Sequence, residues 1–337
     1  MTIRPLWSNQ VRSQVLTGAM LTHWYSAHKQ TSFFHSASTY SSVVPGRAPF
    51  MKITEILKKN RPVFSFEFFP PKTEEATIQL YETLRQIAKL KPGFVSVTYG
   101  AGGRTQDKTV DIVKRAKSEI GLESMAHLTC VGHSKQELRN ILDELNSSGI
   151  ENVIALRGDP PKEEMSFRPH PDGFKHASEL TNFIHTSYPF CIAVAGYPEG
   201  HIESPNKETD WNHLREKVMA GADFIITQLF FDNRDFFAFE TRMREKGVTI
   251  PIIPGIMPIT NYGQIVRFTQ TCGAKIPEKL ATDLEVIQND LEAVQQYGIE
   301  HATGQCRELI ARGVPGIHFY TLNRSHSAQE IVENLRS

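Results

Sequence analysis

Phe64-Ser65-Phe66-Glu67-Phe68-Phe69-Pro70-Pro71 carries the two-residue alternation of a β-strand. Phe64, Phe66 and Phe68 fall on one face, Ser65 and Glu67 on the other, and the two prolines end the run. Similar short runs recur downstream, and strands are predicted at 63–68, 94–98, 124–129, 152–156, 190–195, 223–228, 252–256 and 316–321. Helical patterns separate them. Thr73 reads as an N-cap, with Glu74 and Glu75 in the first turn and Ala76, Leu80, Leu84 and Ile87 on one face. Ser134-Lys135-Gln136-Glu137 reads as a capping box, followed by apolar Leu138, Ile141, Leu142 and Leu145 and a stop at Gly149. Eight strand–helix units over residues 51–337 favour parallel strands with right-handed crossovers. The size is that of an α/β chain folded as a (β/α)8 TIM barrel. A doubly wound open sheet is the alternative.

Residues 1–50 differ from the rest. They hold Arg4, Arg12, Lys29 and Arg47 but no acid. Taking those four from the 37 basic residues leaves 33 against 37 acids, a balance of −4 for 51–337. The segment reads as a disordered N-terminal extension, as sequence ahead of a usual start at Met51, or as an organelle transit peptide. No catalytic role is expected of it. Net charge is zero over 337 residues, which gives no sign of a nucleic-acid or anionic-membrane surface. Cys130, Cys191, Cys272 and Cys306 lie far apart without a CxxC pair, which speaks against a zinc ribbon, an iron–sulfur cluster or a disulfide framework. A cytoplasmic setting is expected, with no bound metal. No apolar run approaches the roughly 20 residues that span a bilayer.

Barrel enzymes build their sites at the C-terminal ends of the strands. Those ends carry Glu67, Thr98, His127 with Thr129, Arg157 with Asp159, Tyr197, Gln228, Gly255 and Tyr320 with Arg324. Alternation points Ser65 and Glu67 into the barrel mouth. A carboxyl group removed from water holds its proton more tightly, which suits Glu67 to general-acid work; a paired structural carboxylate is the alternative. Arg157-Gly158-Asp159 offers a forked donor, a close backbone approach for a ligand and an acceptor, or else an ordinary turn with an Arg–Asp pair. Asp210 and Lys217 suit ribose hydroxyls and phosphate, although such charges at a helix start are more often just solvated. His127 reads by default as a satisfied core histidine, and Phe230, Phe231, Phe236 and Phe237 as packing residues. Gly100-Ala101-Gly102-Gly103-Arg104-Thr105 lacks the last glycine of a dinucleotide fingerprint.

At these motifs the sequence resembles methylenetetrahydrofolate reductase of the single-domain bacterial type. The stretches are FSFEFFPPK at 64–72, VSVTYGAGG at 95–103, AHLTC at 126–130, LRGDPP at 156–161, AGYPEGH at 195–201, ITQLFFD at 226–232, IPGIMP at 253–258 and HFYTLNR at 318–324. The resemblance implies a TIM barrel holding non-covalent FAD at the strand ends. NADH or NADPH reduces the flavin and leaves, and methylenetetrahydrofolate takes the same place, feeding methionine synthesis. Glu67 matches the acid that protonates the folate, and Asp159 the carboxylate beside flavin and pterin. Gln228, Gln264, Phe268 and Arg324 match folate contacts. Thr98, Tyr99, Ala101, His127, Arg157, Gly158, Ala177, Tyr197, His201, Asp210 and Lys217 match flavin-site positions.

Departures stand at Ser204, His213 and Glu216, on the flavin's nucleotide side. The resemblance also implies a homo-oligomer. With no sequence beyond the eighth unit for a regulatory domain, inhibition by S-adenosylmethionine is not expected. A flavin-free folate barrel and a non-catalytic folate or flavin sensor are the competing functions. Of the former, a Schiff-base lyase is disfavoured because no strand ends in Lys.

Overall fold

A computed structural model describes residues 51–99, 106–159 and 167–337. The readings of 1–50 and of Ala101 fall outside them. Eight parallel strands close into a barrel in sequence order, and the open-sheet alternative is set aside. They are β1 (Val63–Phe68), β2 (Phe94–Val97), β3 (Ser124–Thr129), β4 (Asn152–Leu156), β5 (Cys191–Gly196), β6 (Phe224–Leu229), β7 (Ile252–Ile256) and β8 (Gly316–Tyr320). The sequence-based bounds agree to within one residue at each end.

α1 (Ile53–Lys59) precedes β1. α2 (Glu74–Lys89), α3 (Gln106–Arg115), α4 (Lys135–Ser147), α5 (Ala177–Ser187), α6 (Lys207–Met219) and α7 (Asn233–Glu245) follow β1 to β6 in turn. β7 is followed by α8 (Tyr262–Cys272), α9 (Glu278–Ile287) and α10 (Leu291–Ala311), and β8 by α11 (His326–Arg336). Thr73 caps α2 through its hydroxyl, and Ser134 and Glu137 form the full capping box of α4. The α2 stripe needs one correction: Ala76 is exposed, while Tyr81 and Thr83 join Leu80, Leu84 and Ile87 in burial. The buried stripe starts at Leu80 because the first turn of α2 lies at the surface.

Alternation works as expected. Phe64, Phe66 and Phe68 point outward into the layer shared with the helices. The inward residues of the strands' first halves, among them Val63, Phe94, Met125, Ile154, Phe224 and Ile253, pack with Ile53, Ile56 and Leu57 of α1. The barrel is thus plugged mostly by hydrocarbon at its N-terminal end, where Asn152, Glu123 and Lys117 form a small buried polar cluster, and the polar residues of the candidate site stand toward the other. Among the described residues no helix is long and apolar enough to cross a membrane.

Candidate active site

The polar layer begins one residue pair above the hydrocarbon plug. Parallel register sets Ser65 beside His318 and Glu67 beside both Ser96 and Tyr320. Ser65 and His318 are fully buried, and Glu67 and His127 nearly so. Glu67 Oε2 lies 3.4 Å from His127 Nε2 and 3.5 Å from His318 Nε2. His318 Nδ1 lies 2.8 Å from Ser65 Oγ. Burial pushes His127 down to about 4, so the ring is neutral near pH 7, the Glu67 carboxylate opposing that shift only in part. His127 is therefore buried as expected but not satisfied: its Nε2 has no hydrogen-bond partner among the described residues.

Glu67 is held by the far end of the chain. Thr321 donates its hydroxyl to the Glu67 carbonyl at 2.6 Å. Asn323 accepts from the Phe69 N–H at 2.7 Å and donates to the Phe69 carbonyl at 2.9 Å. FSFEFFPP and HFYTLNR are two sides of one hydrogen-bonded joint, which keeps the carboxyl group aimed inward. Gly255 serves the same corner. A Cβ there would sit 2.2 Å from the Thr227 carbonyl and 2.8 Å from Tyr320 Oη, where Tyr320 donates to that same carbonyl at 2.5 Å.

A groove of about 400 Å³ opens beside β4, β5 and α6. Arg157, Gly158, Asp159, Ala177, Tyr197, His201, Asp210 and Lys217, all expected at the flavin site, line it together with Ser204, His213 and Glu216. Asp210 is buried and Lys217 half-buried, which corrects the reading of both as solvated charges. Lys217 leaves α6 to donate to the Ala195 carbonyl at 2.5 Å, near the end of β5. A lysine does reach a strand end, by a route strand alternation cannot reveal, so that ground for setting a lyase aside fails. Burial pushes Lys217 down to about 8 and raises Asp210, while each charge favours the other's ionised form.

Arg157 does not pair with Asp159. Its guanidinium forms a forked contact with Glu203, Nη2 donating to Oε1 at 3.0 Å, and lies over the Phe167 ring. Gly158 has a local reason beyond any ligand. Its φ is +85°, and a Cβ would meet Val131 Cγ1 at 2.6 Å. Asp159 is exposed at the groove's edge.

The remaining candidates divide. Gln264 and Arg324 share a smaller cavity of about 130 Å³ with Tyr320, Thr260 and Ser327. Gln228 is half-buried and folds its Oε1 back onto the Leu229 N–H at 2.9 Å. Phe268 packs against the buried cluster that contains Leu229 and Met257. Thr98 Oγ1, Tyr99 Oη and Thr129 Oγ1, at the ends of β2 and β3, are buried without hydrogen-bond partners among the described residues. Glu203 and His318 were missed by site reading. His318 had a usable signal, being two residues before Tyr320 on the same inward face.

The family model described as methylenetetrahydrofolate reductase matches residues 52–336. The chain is 42% identical over 295 residues to methylenetetrahydrofolate reductase (NADH) 1 of Arabidopsis thaliana, covering 84% of this chain and 50% of that one. It is 38% identical over 275 residues to 5,10-methylenetetrahydrofolate reductase of Escherichia coli (strain K12), covering 80% and 90%. The chain thus spans about half the length of the plant relatives. A solved structure, an uncharacterised protein from Clostridium thermocellum that binds two copies of 5-methyl-5,6,7,8-tetrahydrofolic acid, superposes with a TM-score of 0.53 at 14% identity. It covers 83% of this chain and 96% of that one, a likeness of fold alone.

Proposed function

Because the chain belongs to the methylenetetrahydrofolate reductase family, we propose that it reduces 5,10-methylenetetrahydrofolate to 5-methyltetrahydrofolate with NADH or NADPH as donor. The groove beside β4, β5 and α6 holds FAD without a covalent bond. When bound, FAD carries the hydride from nicotinamide to folate, the two substrates using one place in turn. The product feeds methionine synthesis, the enzyme works in the cytoplasm, and it acts as a homo-oligomer.

The observation that carries the cofactor reading is that Lys217, donating to the Ala195 carbonyl, and Asp210, beside the Ser204 hydroxyl, line one partly buried groove at the strand ends. A protonated amine beside a carboxylate suits a phosphate next to a ribose, and Arg157 supplies a second cation. Tyr197 and His201, packed edge to face with centroids 4.7 Å apart, give the groove an aromatic wall. His176, Ala177 and Ser178 bring the N-terminal turn of α5 into the groove's lining, an end that favours an anion. The hydroxyls of Thr98, Tyr99 and Thr129, unpartnered among the described residues, fit a polar ring system, since an orphaned buried group costs roughly 1–3 kcal/mol.

The chain's own chemistry is proton handling and orientation. Glu67 donates its proton to the folate nitrogen whose bond to the methylene carbon breaks, opening the five-membered ring. Asp159 holds the guanidine-like edge of the pterin and, as a nearby negative charge, would restrain the potential of a bound flavin. Gln228, Gln264 and Phe268 orient the substrate, and Arg324 meets its acidic tail.

The test is an anaerobic spectrum of the purified protein. Expected is a yellow protein that bleaches with NADH or NADPH and recolours on adding methylenetetrahydrofolate. A colourless protein that takes up no FAD overturns the reading.

A further inference from the structure

The hydroxyl of Ser65 has one hydrogen and two neighbours. With that hydrogen on the Ile317 carbonyl at 3.3 Å, the lone pair is left for His318 Nδ1, 2.8 Å away, to donate to. That arrangement puts the ring hydrogen of His318 on Nδ1 and turns Nε2 toward Glu67. Two bare acceptors 3.5 Å apart in a dry interior repel each other, whereas one proton between them relieves both. Ser96 Oγ, also 3.5 Å from Nε2, is the competing donor, and His127 Nε2, 3.4 Å from the same Oε2, the competing ring. The ring itself is fixed, stacked on Phe94 at 5.8 Å and set edge-on to Tyr320 at 5.5 Å. The titratable groups facing this spot are Glu67 from β1, His127 from β3 and Tyr320 from β8, and His127 is neutral near pH 7.

We propose that His318 is the positioning residue of the acid: held by Ser65 in the Nδ1–H form, it shares one proton through Nε2 with Glu67 Oε2 and keeps that proton on the carboxyl between turnovers. The proposal rests on the reductase reading for the identity of the substrate. In each turnover the Oε2–H bond breaks as the N–H bond on the folate forms. The methylene C–N bond breaks with its electron pair staying on that nitrogen, and hydride from the reduced cofactor fills the carbon. The remaining carboxylate again faces a bare Nε2, and a proton from solvent water at the barrel mouth restores the shared state.

His318→Asn keeps an N–H for Ser65 but removes the Nε2 lone pair. In the FAD-loaded enzyme, bleaching by NADH or NADPH is expected to stay within about twofold of wild type. Recolouring by methylenetetrahydrofolate is expected to slow about 100-fold, the lower range for losing acid–base assistance. The alkaline limb of its pH profile moves to lower pH, because nothing then accepts from the protonated carboxyl. Recolouring within threefold of wild type with an unmoved limb overturns the proposal, and so does a parallel loss of FAD binding, bleaching and recolouring. Nitrogen-15 histidine spectra of the unmodified protein provide a second test that needs neither variant nor folate. A hydrogen on Nδ1 of His318 supports the proposal, and a bare Nδ1 with protonated Nε2 overturns it. Wild type that bleaches but never recolours refutes the reductase reading instead, leaving the tautomer to decide the proton proposal.

Discussion

Two sides of the barrel rim handle polarity in opposite ways. On the β1–β3–β8 side, Glu67, His127 and His318 stand directly on strands, almost without water, with the carboxylate within 3.5 Å of both rings. On the β4–β5 side, Asp159 is exposed, Arg157 crosses the opening to Glu203, and Lys217 reaches in from a helix. The first side buries its titratable groups away from solvent. The second offers opposite charges around a cavity wide enough for a large ligand. The contrast suits a two-step reaction in which one wall transfers a proton and the other retains a cofactor.

The sharpest way to break the comparison is to titrate each side separately. His127 has its folded pKa depressed, from 6.5 to about 4, by burial. The unfolded chain therefore binds a proton in that window while the folded one does not. Stability is full above pH 6.5 and falls as pH drops toward 4. The shift corresponds to about 3 kcal/mol. Urea unfolding of wild type and His127→Asn across pH 4–7 is expected to show the variant's profile flattened by about that amount. Parallel profiles would mean that the ring is not sealed.

The groove side answers to ligand affinity instead. Lys217→Met is expected to weaken FAD binding roughly 30-fold, about 2 kcal/mol, for the loss of a partly buried charge against phosphate. Wild-type affinity is expected to be level below pH 8 and to fall about tenfold by pH 9, as Lys217 loses its proton near 8. In Lys217→Met that limb is absent. Equilibrium titration of the apoprotein measures both.

Smaller effects sharpen the contrast. Thr321→Val removes the hydroxyl that holds the Glu67 carbonyl and is expected to cost about 1.5 kcal/mol of stability in thermal or urea unfolding. It also slows the folate half-reaction several-fold. Glu203→Gln breaks a half-exposed ion pair and is expected to change stability by less than about 1 kcal/mol. A larger change by the same measurement would make Arg157–Glu203 a structural strut of the groove.

The same division explains what the sequence revealed. Alternation in Phe64–Phe68 was enough to orient Ser65 and Glu67, because a strand allows only two faces. The strands were legible almost to the residue for the same reason. His318 was legible in principle, through its register beside Ser65, once β8 was known to close on β1. The groove was not legible from local pattern. Lys217 sits on a helix with four rotatable bonds between backbone and charge, and the partner of Arg157 lies 46 residues away in a loop. Only the family resemblance put those positions together. The alternative of an ordinary turn with an Arg157–Asp159 pair is set aside, because the longer-range Glu203 takes the guanidinium.

The separation of proton side from cofactor side is tested most directly by following both half-reactions in FAD-loaded Glu67→Gln under anaerobic conditions. Expected is bleaching by NADH or NADPH at close to the wild-type rate, followed by a bleached enzyme that stays colourless when methylenetetrahydrofolate is added. Recolouring as fast as wild type would contradict the assignment of the acid, and loss of FAD or of bleaching would show that the two walls do not divide the work.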